Sequence, residues 1–156
     1  MNPPNLDTIH DTCRRELHAL LADEPDVIAR MASVAAVLYH HLPRVSFCGF
    51  YRVMTPGVLV VGPYQGPVGC LRITFDRGVC GAAARTRTAQ LVPDIHAFPG
   101  HIACDPLARA ELVVPVLDAA GELLAVLDLD SHTPDAFDEA DRDALTRLMQ
   151  EVFADS

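Results

Sequence analysis

The chain has 156 residues, half of them apolar and 21% charged, which suits one globular unit burying roughly 68–70% of its unfolded surface and excludes a disordered tail. Acids outnumber Lys plus Arg by 21 to 12, for a formal charge of −9, so no nucleic-acid partner is expected and a cationic or zwitterionic small ligand fits better. No apolar run reaches the ~18 residues of a membrane span and the N-terminus is too charged for a secretory signal, so no membrane partner is expected and the expected location is cytoplasmic.

Leu6, Ile9, Cys13, Leu17 and Leu20 recur at steps of three and four, the stripe of an amphipathic helix with Cys13 on its core side. A second stripe runs through Ile28, Met31, Val34, Ala35 and Leu38, with Pro25 suited to its start. From Ser46 the pattern changes to strands: "SFCGFYRV" and "VLVVGPYQG" flank the turn "MTPG", and "LRITF" follows. "RGVCGAAARTRT" reads as a short helix whose Arg85 and Arg87 form a solvated face, and "AQLVPDI" as a strand. The stretch "HAFPGHIACDPLARAE" has neither helical nor strand period, and so long a loop in a compact domain usually belongs to a site. "ELVVPVLD" and "ELLAVLDLDS" form a hairpin, and a last helix opens at the cap Asp138 with Leu145, Leu148, Met149 and Val152 on one face.

This order predicts an α+β domain, one antiparallel sheet with helices mainly on one face. It is a single domain over 1–156, with N-terminal helices about 5–42, sheet and site about 46–130 and a C-terminal helix about 138–154.

The hairpin carries a second clue. Leu123, Ala125, Leu127 and Leu129 share one face of the last strand, while Leu124, Val126, Asp128 and Asp130 share the other. With Ala119 and Ala120 as a two-residue loop Glu111 lies opposite Asp128, and with Ala120 and Gly121 it lies opposite Asp130. Either register gathers three carboxylates, whereas a three-residue loop breaks that parity. Like charges this close destabilise a sheet unless a cation arrives or a proton is shared.

Five cysteines without an export signal argue against a structural disulfide framework. Cys104 sits in the long loop beside His101 and Asp105, Cys70 borders a strand, Cys80 lies near a helix start where backbone N–H groups favour an anion, and Cys48 is a buried strand residue. A zinc site from Cys80, His96, His101 and Cys104 lacks the tight C-x2-C spacing, so no metal is expected.

In their order and intervals, "GPYQGPVGC", "RGVCGAAA", "DIHAFPGHIACD" and "VLDLDS" resemble the free methionine-(R)-sulfoxide reductases, which are built on a GAF domain; the likeness runs from about Ser46 to Phe137. The resemblance implies a GAF-like fold and a thiol-dependent reductase of free methionine (R)-sulfoxide. Cys104 would be its catalytic cysteine, Cys70 the main resolving cysteine and Cys80 a third redox cysteine. Glu111, Asp128 and Asp130 would hold the substrate, with Tyr51 and Phe47 in its pocket, Phe47 standing where comparable members carry tryptophan. It further implies a Cys104 sulfenic acid, an intramolecular disulfide with Cys70, no cofactor beyond an external dithiol such as thioredoxin, and a homodimer. The alternative is a non-catalytic GAF module that senses a small ligand or oxidants.

Overall fold

The structure is a computed structural model that describes residues 5–102 and 104–156. Three of the described α-helices begin where a short polar side chain satisfies free backbone N–H groups. Asn5 accepts from Thr8 N at 2.8 Å to open α1 (Leu6–Leu21), and Asp26 accepts from Ala29 N at 2.8 Å to open α2 (Val27–His41). Pro25 therefore precedes the cap rather than starting the helix. At the other end of the chain Asp138 and Asp141 form a reciprocal capping box for α4 (Glu139–Val152). The remaining helix, α3 (Gly78–Thr86), has no side-chain cap.

Six strands, β1 (Phe47–Thr55), β2 (Val58–Gln65), β3 (Arg72–Thr74), β4 (Gln90–Val92), β5 (Ala110–Leu117) and β6 (Leu123–Ser131), form one antiparallel sheet in the order β3-β2-β1-β6-β5-β4. One face packs on α1, α2 and α4 through Leu17, Met31, Leu38, Phe50, Leu112, Leu127, Leu129, Leu145, Met149 and Phe153. Each such side chain contributes about 1.5–3 kcal/mol on burial. The opposite face carries α3, whose Val79, Cys80, Ala83 and Ala84 pack with Phe47, Tyr51, Val113 and Val126.

Two apolar stripes end differently from their sequence pattern. Leu20 is 58% and Ile28 43% exposed, while their neighbours Leu21 and Val27 pack against the core. Leu21 and Val27 lie one turn from the core residues Leu17 and Met31, so these positions face the core in place of Leu20 and Ile28. The side chain of Leu6 lies outside the described residues.

The β5–β6 hairpin keeps the register in which Glu111 pairs with Asp130, but not through a two-residue loop. Asp118 N donates to Glu122 O at 2.8 Å around Ala119–Gly121, and Gly121 adopts the left-handed φ of 81°. A register shift between Val116 and Leu117 leaves Leu124 as the extra residue, which restores the parity that a three-residue turn would break. The same bulge reverses the strand tip: Leu123 packs with the α3 side and Leu124 with the opposite core.

Candidate functional site

The sheet face beneath α3 assembles the site from strand alternation. Residues Glu111, Asp130 and Phe47 lie side by side across β5, β6 and β1, and Val113, Asp128 and Gly49 form the next row. The three carboxylates, Phe47, Tyr51, Cys80 and Cys104 line one cavity together with Val79, Ile95 and Ile102. Its volume is about 30 Å³, space for on the order of one or two waters.

The aromatic wall is built in layers. Phe47 stacks on Tyr51 with centroids 6.4 Å apart and on Tyr64 at 5.2 Å. Tyr64, which the sequence reading did not single out, thus backs the smaller Phe47 ring. Gly69 lets the chain lie directly on this wall, since a Cβ there would come within 2.8 Å of the Tyr51 hydroxyl and 3.2 Å of Phe47.

That glycine precedes Cys70, which is joined to Cys104 by a disulfide with a Cα–Cα distance of 5.5 Å. The bond ties the segment before β3 to the irregular loop before β5. The loop is also held by Gly78 N donating to Gly100 O at 3.0 Å and by a side-chain hydrogen bond between His132 Nε2 and Asp105 Oδ2 at 2.7 Å. Asp105 accepts from Leu107 N as well, and both bonds keep its carboxyl below the usual range. Of the two residues near Cys104 in the sequence, Asp105 is held by His132, while His101 stacks edge-on against His96, with centroids 5.5 Å apart. His132, two residues beyond Asp130 where β6 exits, carried no signal without the fold.

Burial governs the electrostatics. Desolvation and the nearby Asp130 push Glu111 up to about 8, and desolvation followed by neighbouring carboxylates raises Asp128 and Asp130 well above the ordinary range. Cys80 Sγ lies 3.8 Å from Glu111 Oε1 as its donor. The helix N-terminus was expected to favour a Cys80 anion, but burial, Asp128 and Glu111 raise its thiol well above the usual value. These opposing charges outweigh a half-charge helix dipole. Cys13 and Cys48 are fully buried on the other face of the sheet, where burial pushes Cys13 up to about 11.

A pocket with clustered acids under a thiol-bearing loop is thus set on a six-stranded sheet. A family model described as a GAF domain matches residues 22–152. The chain belongs to the GAF domain family. Among its relatives, protein YtsP of Bacillus subtilis is 44% identical over 137 residues, covering 87% of this chain and 83% of the relative. Free methionine-R-sulfoxide reductase of Escherichia coli is 37% identical over 138 residues, covering 88% and 82%. The X-ray structure of free methionine-R-sulfoxide reductase from Neisseria meningitidis in complex with its substrate superposes with a TM-score of 0.91 at 37% identity, covering 99% of this chain and 91% of that one. The GAF fold implied by the resemblance is the fold observed. No helix among the described residues is long and apolar enough to cross a membrane.

Proposed function

We propose that this GAF-family protein reduces free methionine (R)-sulfoxide to methionine with thiols as the electron source. The observation that carries the reading is the Cys70–Cys104 disulfide beside a pocket lined by Glu111, Asp128 and Asp130. A free amino acid has an ammonium group, which buried Asp128 and half-buried Glu111 and Asp130 bind by charge-assisted hydrogen bonds; a methionine within a peptide lacks it. Phe47 and Tyr51 provide the apolar wall for the thioether end.

In the scheme, the Cys104 thiolate attacks the sulfoxide sulfur and the sulfur–oxygen bond breaks. The oxygen departs with one proton as hydroxide, which attacks the Cys104 sulfur while the transient sulfur–sulfur bond to methionine breaks. Methionine is released, Cys104 is left as a sulfenic acid, and the sulfoxide is reduced by two electrons as Cys104 is oxidised by two. Crowded, desolvated carboxylates retain a proton at neutral pH, and that proton is assigned to the departing oxygen. The Cys70 thiol then condenses with the sulfenic acid, releasing water and forming the disulfide. An external dithiol reduces that bond by exchange. The cavity of about 30 Å³ in the disulfide-bonded state is far below the roughly 300 Å³ of ordinary ligand sites, so opening of the loop precedes the next substrate.

The scheme needs no prosthetic group. Thioredoxin as the dithiol, a part in oxidative-stress defence, a cytoplasmic location and a homodimer are supported by the family resemblance. The test is methionine release from separate R and S epimers of free methionine sulfoxide with dithiothreitol. Turnover confined to the R epimer is expected. No turnover with either, in folded and reduced protein, would leave the module as a sensor of ligand or oxidant.

A further inference from the structure

The acid cluster includes a side chain that ammonium recognition does not require, the Cys80 thiol. Its sulfur and one oxygen each from Glu111 and Asp128 all lie within 4.8 Å of one another. Asp128 is 4% exposed, and its Oδ1 has no donor among the described residues. Magnesium and calcium prefer all-oxygen sites, whereas a thiol beside carboxylates suits a borderline ion such as zinc. Zinc bond lengths put tetrahedral ligand atoms about 3.3–3.8 Å apart. The Cys80 sulfur and Glu111 Oε1 already stand 3.8 Å apart, and no pair needs to close by more than about 1.5 Å.

We propose that Cys80, Glu111 and Asp128 bind one thiophilic divalent cation of the zinc class, and that this ion and the substrate ammonium exclude each other. Asp130, which lines the same cavity, or a water completes the coordination. The Cys80 proton and any proton held by the carboxylates pass to solvent as the metal bonds form. The ion neutralises anions whose burial is costly when they stand alone. Exclusion of the substrate rests on the proposed function; binding of the ion rests on the side-chain geometry.

The experiment titrates Cd2+ into the reduced Cys70→Ser/Cys104→Ser protein, where Cys80 is the remaining pocket thiol, and follows the near-ultraviolet thiolate-to-cadmium absorption. The band is expected to saturate at one equivalent and to disappear when Cys80→Ala is added. Glu111→Gln, which keeps the shape, is expected to weaken binding at least tenfold. No band, or a band surviving Cys80→Ala, overturns the site; if the alanine variant does not fold, unchanged affinity in Glu111→Gln overturns it. Calorimetric binding of free methionine (R)-sulfoxide to the double variant is expected to be lost at saturating Cd2+, and equal affinity with and without the ion overturns the exclusion. Turnover by wild-type protein in chelator is a separate test of the proposed function, so turnover without a band overturns the metal site alone.

Discussion

At the scale of single residues, reactivity follows from position rather than residue type. Cys104 lies in a loop that lines the cavity, while Cys80 is held neutral among carboxylates and Cys13 and Cys48 are enclosed in the helical core. Cys104→Ser is expected to lose all measurable methionine release while its melting temperature stays within a few degrees of the reduced wild type. Glu111 makes a pH prediction of definite sign. In the unfolded chain it releases its proton near 4.3, but in the fold it holds it to about 8. The folded state carries the extra proton between those values, so this group's stabilising contribution is complete below the lower value and declines as pH rises through 8. Asp128, Asp130, Cys80 and Tyr51 surround the group, all raised by burial first, and none supplies a compensating positive charge. Depressed carboxylates such as Asp105 and Glu151 titrate in the acid range, outside this window. Thermal melts in chelator between pH 6 and 8 are expected to show wild-type stability falling, with Glu111→Gln flattening the decline; parallel curves would refute the assignment.

At the scale of elements, period-two alternation is what made the acid cluster legible in sequence. Glu111, Asp128 and Asp130 had to share a face once β5 and β6 paired in the right parity. The loop itself was not legible, because Gly121 sets a three-residue turn and Leu124 absorbs the resulting offset. The reversal of Leu123 and Leu124 follows from that one bulge. The layered contact of Tyr64 on Phe47, and of His132 on Asp105, depends on neighbours 17 and 27 positions away and leaves no local pattern. The disulfide joins two irregular segments 34 residues apart. Closing such a loop removes unfolded-chain entropy worth up to about 4 kcal/mol, so the oxidised protein is expected to melt several degrees above the reduced one. In the proposed scheme Cys70→Ser deprives the Cys104 sulfenic acid of its condensing partner, and burial and neighbouring carboxylates disfavour the Cys80 thiolate that would replace it. A single-turnover burst near one methionine per protein is expected with thioredoxin, followed by a rate at least tenfold below wild type; quenched-flow assays distinguish this from undiminished cycling.

At the scale of the whole molecule, the sheet separates a chemical face from a structural one. The alternating strands and three long amphipathic helices foretold a sheet with helices mainly on one face, and α3 alone covers the other. They did not foretell how the helical layer is locked at its edge. Arg30, 7% exposed on α2, donates from Nε to Glu24 O at 2.5 Å and from Nη1 to Val152 O at 2.8 Å and Asp155 Oδ1 at 2.5 Å. One guanidinium thereby ties the α1–α2 connection to the end of α4. The helical stripe gives no signal for this arginine, whose burial is explained by the two carbonyls and the Asp155 carboxylate that converge on it. Arg30→Met preserves the apolar stem but leaves the Glu24 and Val152 carbonyls without this donor. The expected cost is about 2–4 kcal/mol, much of it the desolvation of those unpaired groups. For a chain of this length that corresponds to a melting temperature lower by roughly 5–15 °C. Arg30 does not line the cavity beneath α3, so kcat and KM at 25 °C are expected to match wild type while calorimetry records the lower midpoint. A variant that melts with wild type would show that the arginine is accommodated rather than required, and one that loses turnover while fully folded would show that the two faces of the sheet are coupled.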